Sequence, residues 1–448
     1  MGIGVLAAMV LVAACGGDDV ADRTPESVAD SHPDGPADEQ STVVTTEPSE
    51  DISDEALPLR FGALSERSVD GGADGRNATA AIAGMNEFAV DLYRAVAADE
   101  AGNTVVSPYS VTFALGMIYA GARGQTATEM ADVLHVGDLE PEAWHEGINA
   151  YDLTLDARTV GSPTVWTAAN KVWTQPGLAL LDDYLDVLTG AYGSPLAEAD
   201  FGADPEAMRN LVNGWVEERT NDLIPELFPP ASFDGSTQMV LVNAVALDAP
   251  WEFPFDPAAT RTEPFTRADG STVNVPMMHY DEFLPSAWTE DALAVEVPYG
   301  GGALSMVVIV PNDLAAFESE LTTESLAAVI DGITDGGIHL SLPKWTARTH
   351  VQLNDVLTGL GMPAAFGGGA DFSGMTEGGG LFLDQVEHEA VVEVDEQGTR
   401  AAAATGGEMA DSHGPTIEVN RPFLYLIRDR GAGTILFIGR VTDPAVVP

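Results

Sequence analysis

The spacing of apolar residues changes between the two halves of the chain. From about residue 80, apolar side chains recur every three or four positions through MNEFAVDLYRAVAA, which predicts an amphipathic helix beginning near Ala80. The stretch that follows predicts a short strand, a serine-rich turn and a second helix that ends at the glycines around Gly121 and Gly124. Residues 206–227 again show helical spacing.

Strand patterns dominate the second half. The segments ALSMVVIVP and GTILFIGRV are dense in Val, Ile, Leu and Phe over lengths typical of strands. Strands and helices do not alternate regularly, so the pattern favours a mixed α+β fold over a doubly wound parallel sheet.

The N-terminus has the composition of a signal peptide. Residues 2–14 are uncharged and apolar, and they are fewer than the roughly 20 residues needed to span a bilayer. The run ends LVAACG, which resembles a bacterial lipobox, so residues 1–15 are interpreted as a signal peptide whose Cys15 becomes lipidated. No Lys or Arg precedes the apolar run. An apolar N-terminus with an incidental cysteine is the alternative.

Acidic residues dominate the segment that follows. Residues 16–59 contain 13 acidic side chains, Arg23 as their one Lys or Arg, and no aromatic residue. Such a composition cannot offset the entropy of ordering, so residues 16–78 are predicted to be a disordered acidic tether before a folded domain at 79–448. The whole chain has 19 Lys and Arg against 70 Asp and Glu, a formal charge of −51. This charge excludes nucleic acid as a natural partner.

The sequence offers no motif for an enzyme. It lacks a GxSxG elbow, an HExxH zinc pair, a phosphate-binding loop and EF-hand spacing. Cys15 is the single cysteine, so an intramolecular disulfide and a zinc-cysteine site are excluded. We therefore expect no catalytic residue, metal or cofactor, although a serine triad assembled from distant residues is not excluded by sequence.

Six segments, in order, resemble those of the serpin family between about Ala80 and Val441. They are NTVVSPYSV, NGWVEERTNDLIPELF, LVNAVALDAPWEFPFDP, LPKWTARTHVQLNDVLTGLGMPAAF, VEHEAVVEVDEQGTRAAAAT and VNRPFLYLIRDRGAGTILFIGRV. The resemblance implies three β-sheets, about nine helices and an exposed reactive-centre loop between Glu396 and Val419. It also implies a monomer that acts on a serine or cysteine protease.

In inhibitory serpins the cleaved loop enters the main sheet as a new strand, whose side chains point alternately inward and outward. The hinge residues implied by the resemblance are Glu396, Gly398, Thr399, Ala401, Ala403 and Thr405. The inward row would comprise Thr399, Ala401, Ala403, Thr405, Gly407 and Met409, which are small or apolar. Arg400 and Glu408 would face solvent, so insertion would bury no unpaired charge.

Two further groups match serpin positions that control opening of the sheet. A cluster called the shutter, under the middle of the sheet, would comprise Ser107, Ser110, Asn243 and His388. A second region, the breach, is where the loop first enters. There Lys344 would pair with Glu396, and Trp251 would pack. Each residue alone could be an ordinary cap or core residue.

The resemblance implies a secreted, lipid-anchored bacterial inhibitor, located outside the cell or at the cell envelope. The bond to be cut falls among Asp411, Ser412 and His413. Counting from Glu396 places Ser412 before the cut, whereas counting back from Pro422 places Asp411 there. A non-inhibitory serpin acting as a binding or chaperone-like module is the alternative, and a surface hydrolase lacks any motif.

Overall fold

A computed structural model of the chain describes residues 67, 75–194, 196–377, 380–399 and 416–446, together with residues 5–9 and 59–60. For residues 5–9, 59–60, 281, 336 and 337 it describes the backbone alone. Nine α-helices lie within these residues. They are α1 Arg76–Asp99, α2 Pro108–Tyr119, α3 Gly124–Val133, α4 Pro141–Thr159, α5 Asp182–Tyr192, α6 Pro205–Arg219, α7 Leu314–Ser319, α8 Thr323–Asp331 and α9 Asn354–Leu360. None of the described helices has both the length and the apolar character to cross a bilayer.

Seventeen strands lie in the same described residues. They are β1 Val5–Met9, β2 Leu59–Arg60, β3 Thr104–Val106, β4 Val165–Thr174, β5 Leu196–Glu198, β6 Met239–Pro250, β7 Arg261–Thr266, β8 Thr272–Trp288, β9 Ala292–Pro298, β10 Leu304–Pro311, β11 Thr334–Pro343, β12 Trp345–Gln352, β13 Glu387–Val394, β14 Gly398–Thr399, β15 Thr416–Glu418, β16 Phe423–Asp429 and β17 Ile435–Val441.

The main sheet, sheet A, has the order β12-β13-β1-β6-β4-β5-β2, and β14 pairs with the end of β6. The β4–β5 pair is parallel and the other pairs are antiparallel.

The remaining strands follow the order β15-β11-β8-β9-β10-β16-β17-β3, with β7 beside β8. The long strand β8 pairs with β7 and β11 and, near its end, with β9, so it joins two sheets. Sheet B contains β9, β10, β16, β17 and β3, and sheet C contains β7, β11 and β15. The predicted α+β fold with three sheets and about nine helices is confirmed.

Helix α2 lies at the centre of the core. All of its residues are buried, and it contacts β6 of sheet A on one side and β17 of sheet B on the other. A helix that is apolar on every face must be enclosed, since any exposed side would leave apolar surface in water. Pro108 occupies its first turn, where a missing N–H costs no hydrogen bond. The helix therefore couples the middle of sheet A to the rest of the domain.

The predicted elements differ from the observed ones mainly at their ends. Helix α1 begins at Arg76, one turn before Ala80. The helical pattern of residues 206–227 overshoots, because α6 ends at Arg219 and the chain turns through Asn221 and Asp222 at positive φ. Beyond that turn, Asn213 accepts hydrogen bonds from two backbone N–H groups, at residues 227 and 228. The apolar residues after Arg219 therefore form a turn, and a side chain of α6 accepts the hydrogen bonds of the backbone N–H groups that follow it.

Candidate functional site

The hinge segment enters the top of sheet A. Strand β14 pairs with β6, with Gly398 opposite Pro250 and Thr399 opposite Ala249. Gly398 has a φ of 149°, and a Cβ at this position would lie 2.3 Å from the carbonyl oxygen of Ala249. Only glycine fits, because any side chain would both strain the backbone and clash with β6. The glycine therefore lets the chain turn into the sheet at Thr399.

Thr399 is completely buried beneath two aromatic rings. Its hydroxyl lies 2.7 Å from that of Tyr299, which stacks on Trp251 with the ring centroids 4.8 Å apart. Trp251 donates from its indole nitrogen to the carbonyl oxygen of Asp395 at 3.0 Å, and its backbone N–H donates to Gln397 at 3.0 Å. The hinge is therefore held by side-chain and backbone bonds on both sides of the entry point.

Glu396, at the root of the loop, forms an ion pair with Lys344. Its other carboxylate oxygen accepts a hydrogen bond from Thr260 at 2.7 Å. Burial raises the pKa of Glu396, but the bonds from Lys344 and Thr260 outweigh that effect, and the net pKa lies below its ordinary value. The carboxylate is charged at neutral pH and fixes the root of the loop beside sheet A.

The four shutter residues all lie in the core with no solvent exposure. Ser107 caps α2, accepting from the backbone N–H of Ser110 at 3.2 Å and donating to the carbonyl oxygen of Leu436 at 2.8 Å. The backbone N–H of Ser107 donates to Nε2 of His388 at 3.2 Å, so this nitrogen is the unprotonated one. Ser110 donates to the side-chain oxygen of Asn243 at 2.5 Å. These bonds tie α2 to β6 and β13, the two strands that flank β1.

The structure adds three residues that sequence reasoning missed. The side-chain amide of Asn243 donates to Asn170 at 2.8 Å, and Asn170 donates to the carbonyl oxygen of Tyr192 at 3.1 Å. Asn170 lies directly opposite Asn243 in the β4–β6 pair, so a second asparagine within a strand pattern was the available signal. Tyr299 and Thr260 carry no comparable signal, because their importance depends on partners about 100 or more residues away.

Strand β1 lies in the register that the loop would use. Val5 is opposite Leu247 and Met9 is opposite Asn243 on β6. Thr399 is opposite Ala249, and continuing β14 along β6 would place residues 401–405 opposite residues 247–243. Residues 5–9 therefore fill the position between β6 and β13 that residues 401–405 would need for such an extension.

Several predicted site residues lie outside the described part of the chain. They are Cys15, Ala401, Ala403, Thr405, Asp411, Ser412 and His413. The described ends are Thr399 in sheet A and Thr416, which pairs with His339 in sheet C. The described residues on either side of 400–415 therefore belong to different sheets, and both predictions for the bond to be cut stay open.

Known proteins resemble this chain in sequence and fold. The family model for serpins, described as serine protease inhibitors, matches residues 83–444. An uncharacterized serpin-like protein of Thermococcus kodakarensis is 35% identical, with 80% of this chain and 85% of that protein covered. The leukocyte elastase inhibitor of Bos taurus is 34% identical, with 81% and 99% covered. Human thyroxine-binding globulin, solved in complex with thyroxine, superimposes with a TM-score of 0.73 at 27% identity, with 82% of this chain and 100% of that chain covered.

The matched residues cover most of the folded region and include the sheets, the hinge and the buried cluster described above. The identities exceed 30% over four fifths of the chain. The chain therefore belongs to the serpin family.

Proposed function

We propose that this serpin inhibits a serine or cysteine protease by a covalent, loop-inserting mechanism. The observation that carries the proposal is the register of β14, because Gly398 and Thr399 already pair with the end of β6. Each further pair of residues would extend this ladder toward Asn243. Its relative in Bos taurus carries the name of an elastase inhibitor.

The chemistry belongs to the protease. Its serine or cysteine attacks the carbonyl carbon of residue 411 or 412, the peptide bond breaks, and the new amine leaves with the following residue. The loop then remains joined to the protease by an ester or thioester bond. Insertion of residues 400 onward carries the protease away and distorts it before water can hydrolyse that bond. The serpin contributes strain and a pairing site, and no catalytic group.

The small side chains of the inward row favour insertion of the loop. Thr399 sits in a fully buried site, and Ala401, Ala403 and Thr405 would follow it toward the shutter. Small side chains can enter between β6 and β13 without burying a charge, since an unpaired buried charge costs several kcal/mol. Insertion therefore requires that β1 leave its position between β6 and β13.

A non-inhibitory binding module is the second candidate, and the position of β1 favours it. A chain that keeps residues 5–9 in sheet A has no place for residues 401–405. The similarity to thyroxine-binding globulin fits this alternative, because that protein was solved with a bound ligand.

A gel assay separates the two candidates. The full chain and a chain that starts at residue 16 are each mixed with aspartate-specific proteases and with proteases that accept small residues. A denaturing gel should show a covalent complex for the chain starting at residue 16, and mass spectrometry of the released peptide identifies the bond. Cleavage without any complex, across the panel, would contradict the inhibitor and favour the binding module.

We also propose export and lipidation at Cys15 in a bacterial host, with the folded domain held as a monomer at the cell envelope or outside the cell. The proposal depends on the LVAACG segment and the acidic composition of residues 16–59. Labelling with a radioactive fatty acid should mark the wild-type chain and leave Cys15→Ser unlabelled. Equal labelling of both would show that Cys15 is not the anchor.

A further inference from the structure

The body of the domain contains a buried site for one guanidinium group, and the chain fills it with its own Arg67. Nε of Arg67 donates to the side-chain oxygen of Asn149 at 2.8 Å. One terminal nitrogen donates to Asp152 at 2.6 Å and to the carbonyl oxygen of Ala191 at 3.0 Å. Asn149 and Asp152 lie on α4, and Ala191 lies in the last turn of α5. Three acceptors from two helices match the planar fork of an arginine.

The site is shaped for this side chain. Asn149 is 4% exposed and Asp152 3%, so both acceptors lie in the interior. Gly193 ends α5 at a φ of 56°, and a Cβ there would lie 3.1 Å from Cδ of Arg67. The glycine thus leaves room for the aliphatic stem of Arg67.

The buried carboxylate of Asp152 and the half-buried one of Asp156 explain why the site needs a cation. Asp152 also accepts a hydrogen bond from the hydroxyl of Tyr109, so both of its oxygens are used. Asp156 follows one turn later, and burial together with the charge of Asp152 raises its pKa to about 7, against the lowering effect of Arg67. Removing Arg67 would leave Asp152 as a buried carboxylate without its cation, which is strongly destabilising.

Two chains of contacts, each made of hydrogen bonds joined through covalently adjacent residues, lead from this site to the shutter. In the first, Asp152 accepts from Tyr109 in α2, and the next residue, Ser110, donates to Asn243. The second begins at the end of α5, where the carbonyl of Tyr192, next to that of Ala191, accepts from Asn170. Asn170 in turn accepts from the side chain of Asn243. Both chains end on β6, the strand beside which the hinge enters.

We propose that Arg67 docks the segment before the domain onto α4 and α5, and that this docking sets how readily β6 separates from its neighbours in sheet A. The ligand of the site is the guanidinium group of an arginine side chain. A second attachment lies nearby in sequence, where Leu59 and Arg60 pair with β5 at the edge of the same sheet. The inference goes beyond protease inhibition, since it concerns the stability of the sheet itself.

The test uses the full chain and needs no protease. Native-state hydrogen exchange is measured for the backbone amides of β4 and β6 in wild type, Arg67→Ala and Arg67→Lys. The exposed Arg94, which donates to the carbonyl oxygen of Ser319, supplies the control Arg94→Ala. We expect Arg67→Ala to exchange at least about fivefold faster in β4 and β6. Arg67→Lys should recover only part of the protection, because an ammonium group cannot reproduce the planar fork.

Chemical rescue identifies the site directly. Methylguanidinium at millimolar concentration should restore slow exchange to Arg67→Ala, whereas methylammonium at equal ionic strength should not. If Arg67→Ala does not fold, the same rescue is applied to Arg67→Lys. Exchange equal to that of Arg94→Ala would overturn the proposal. So would faster exchange spread evenly over sheets A, B and C without rescue, since that would make Arg67 a general stabilising residue.

Discussion

The hydroxyl groups of Thr399 and Tyr299 lie 2.7 Å apart in the interior, although 100 residues separate them in the chain. Burial raises the pKa of Tyr299, so its hydroxyl stays protonated at physiological pH. The bond joins the first inward residue of the hinge to the ring that stacks on Trp251. The entry point of the loop is therefore a closed, fully buried environment.

This environment predicts the effect of Thr399→Arg. A guanidinium group in place of the threonine would be buried against the aromatic pair without a carboxylate partner, at a cost of several kcal/mol. The arginine should expel residue 399 from the entry point, so the hinge loses its pairing with β6. Insertion of residues 400 onward should then stall, and the acyl-enzyme should hydrolyse. In a chain that starts at residue 16, we expect the variant to be cleaved as a substrate, with at least about a tenfold loss of covalent complex on a denaturing gel.

Ala402→Arg provides the matched control. Residue 402 belongs to the row predicted to face solvent, next to the natural Arg400. The same charge there should leave complex formation close to wild type. Equal trapping by Thr399→Arg and wild type would mean that the hinge does not insert in the proposed register.

The sequence could predict those parts of the fold and site that depend on local pattern or on a family motif. Helix α1, the strands β10 and β17 and the hinge all have such signals. Helix α6 ends before its helical pattern does. The side chain of Asn213 accepts hydrogen bonds from the backbone N–H groups of residues 227 and 228, which holds that segment as a turn. Arg67 was assigned to a disordered tether on composition, and its partners on α4 and α5 are 82 to 124 residues away. Contacts over such separations leave no periodicity in the sequence.

Replacing His388 should loosen the shutter. His388→Ala removes the acceptor for the buried backbone N–H of Ser107, and a buried donor without a partner costs about 1–3 kcal/mol. In a chain that starts at residue 16, where residues 5–9 do not occupy sheet A, we expect faster conversion to a latent or polymeric form on mild heating, followed on native gels over a temperature series. His388→Gln retains an acceptor and should behave more like wild type. Lower stability of His388→Ala without either product would assign these residues to packing alone.

A second histidine, on the opposite face of this sheet, should make the free energy of unfolding depend on pH. His350 on β12 lies 3.0 Å from Glu387 and 3.4 Å from Glu389 on β13. The hydrogen bonds to Glu387 and Glu389 raise its pKa from 6.5 to about 9. A raised pKa stabilises the fold fully below about pH 6.5, and the contribution is lost as pH rises through about 9. Because 38% of the side chain is exposed, we expect about 1 kcal/mol rather than the value implied by the full shift.

His350→Gln is the variant that measures this contribution. It should unfold more easily than wild type at pH 6, by about 1 kcal/mol in urea, and equally at pH 10. An equal difference in unfolding free energy between His350→Gln and wild type at pH 6 and at pH 10 would contradict the proposed pH dependence.

Removing the N-terminal segment should make sheet A able to accept the loop. Residues 5–9 pair with β6 and β13 in the register that residues 401–405 would take, so the two segments compete for one position. In a chain that starts at residue 16, cleavage of the loop should let it insert and add a full ladder of hydrogen bonds. We expect its unfolding midpoint to rise by more than about 10 °C on cleavage, whereas the full chain should change little.

A full chain in which Ala7 is replaced by Pro supplies the control, because proline cannot donate to the ladder and should release the segment. Equal midpoints before and after cleavage in the shortened chain would rule out insertion, and a large rise in the unmodified full chain would show that residues 5–9 do not block it.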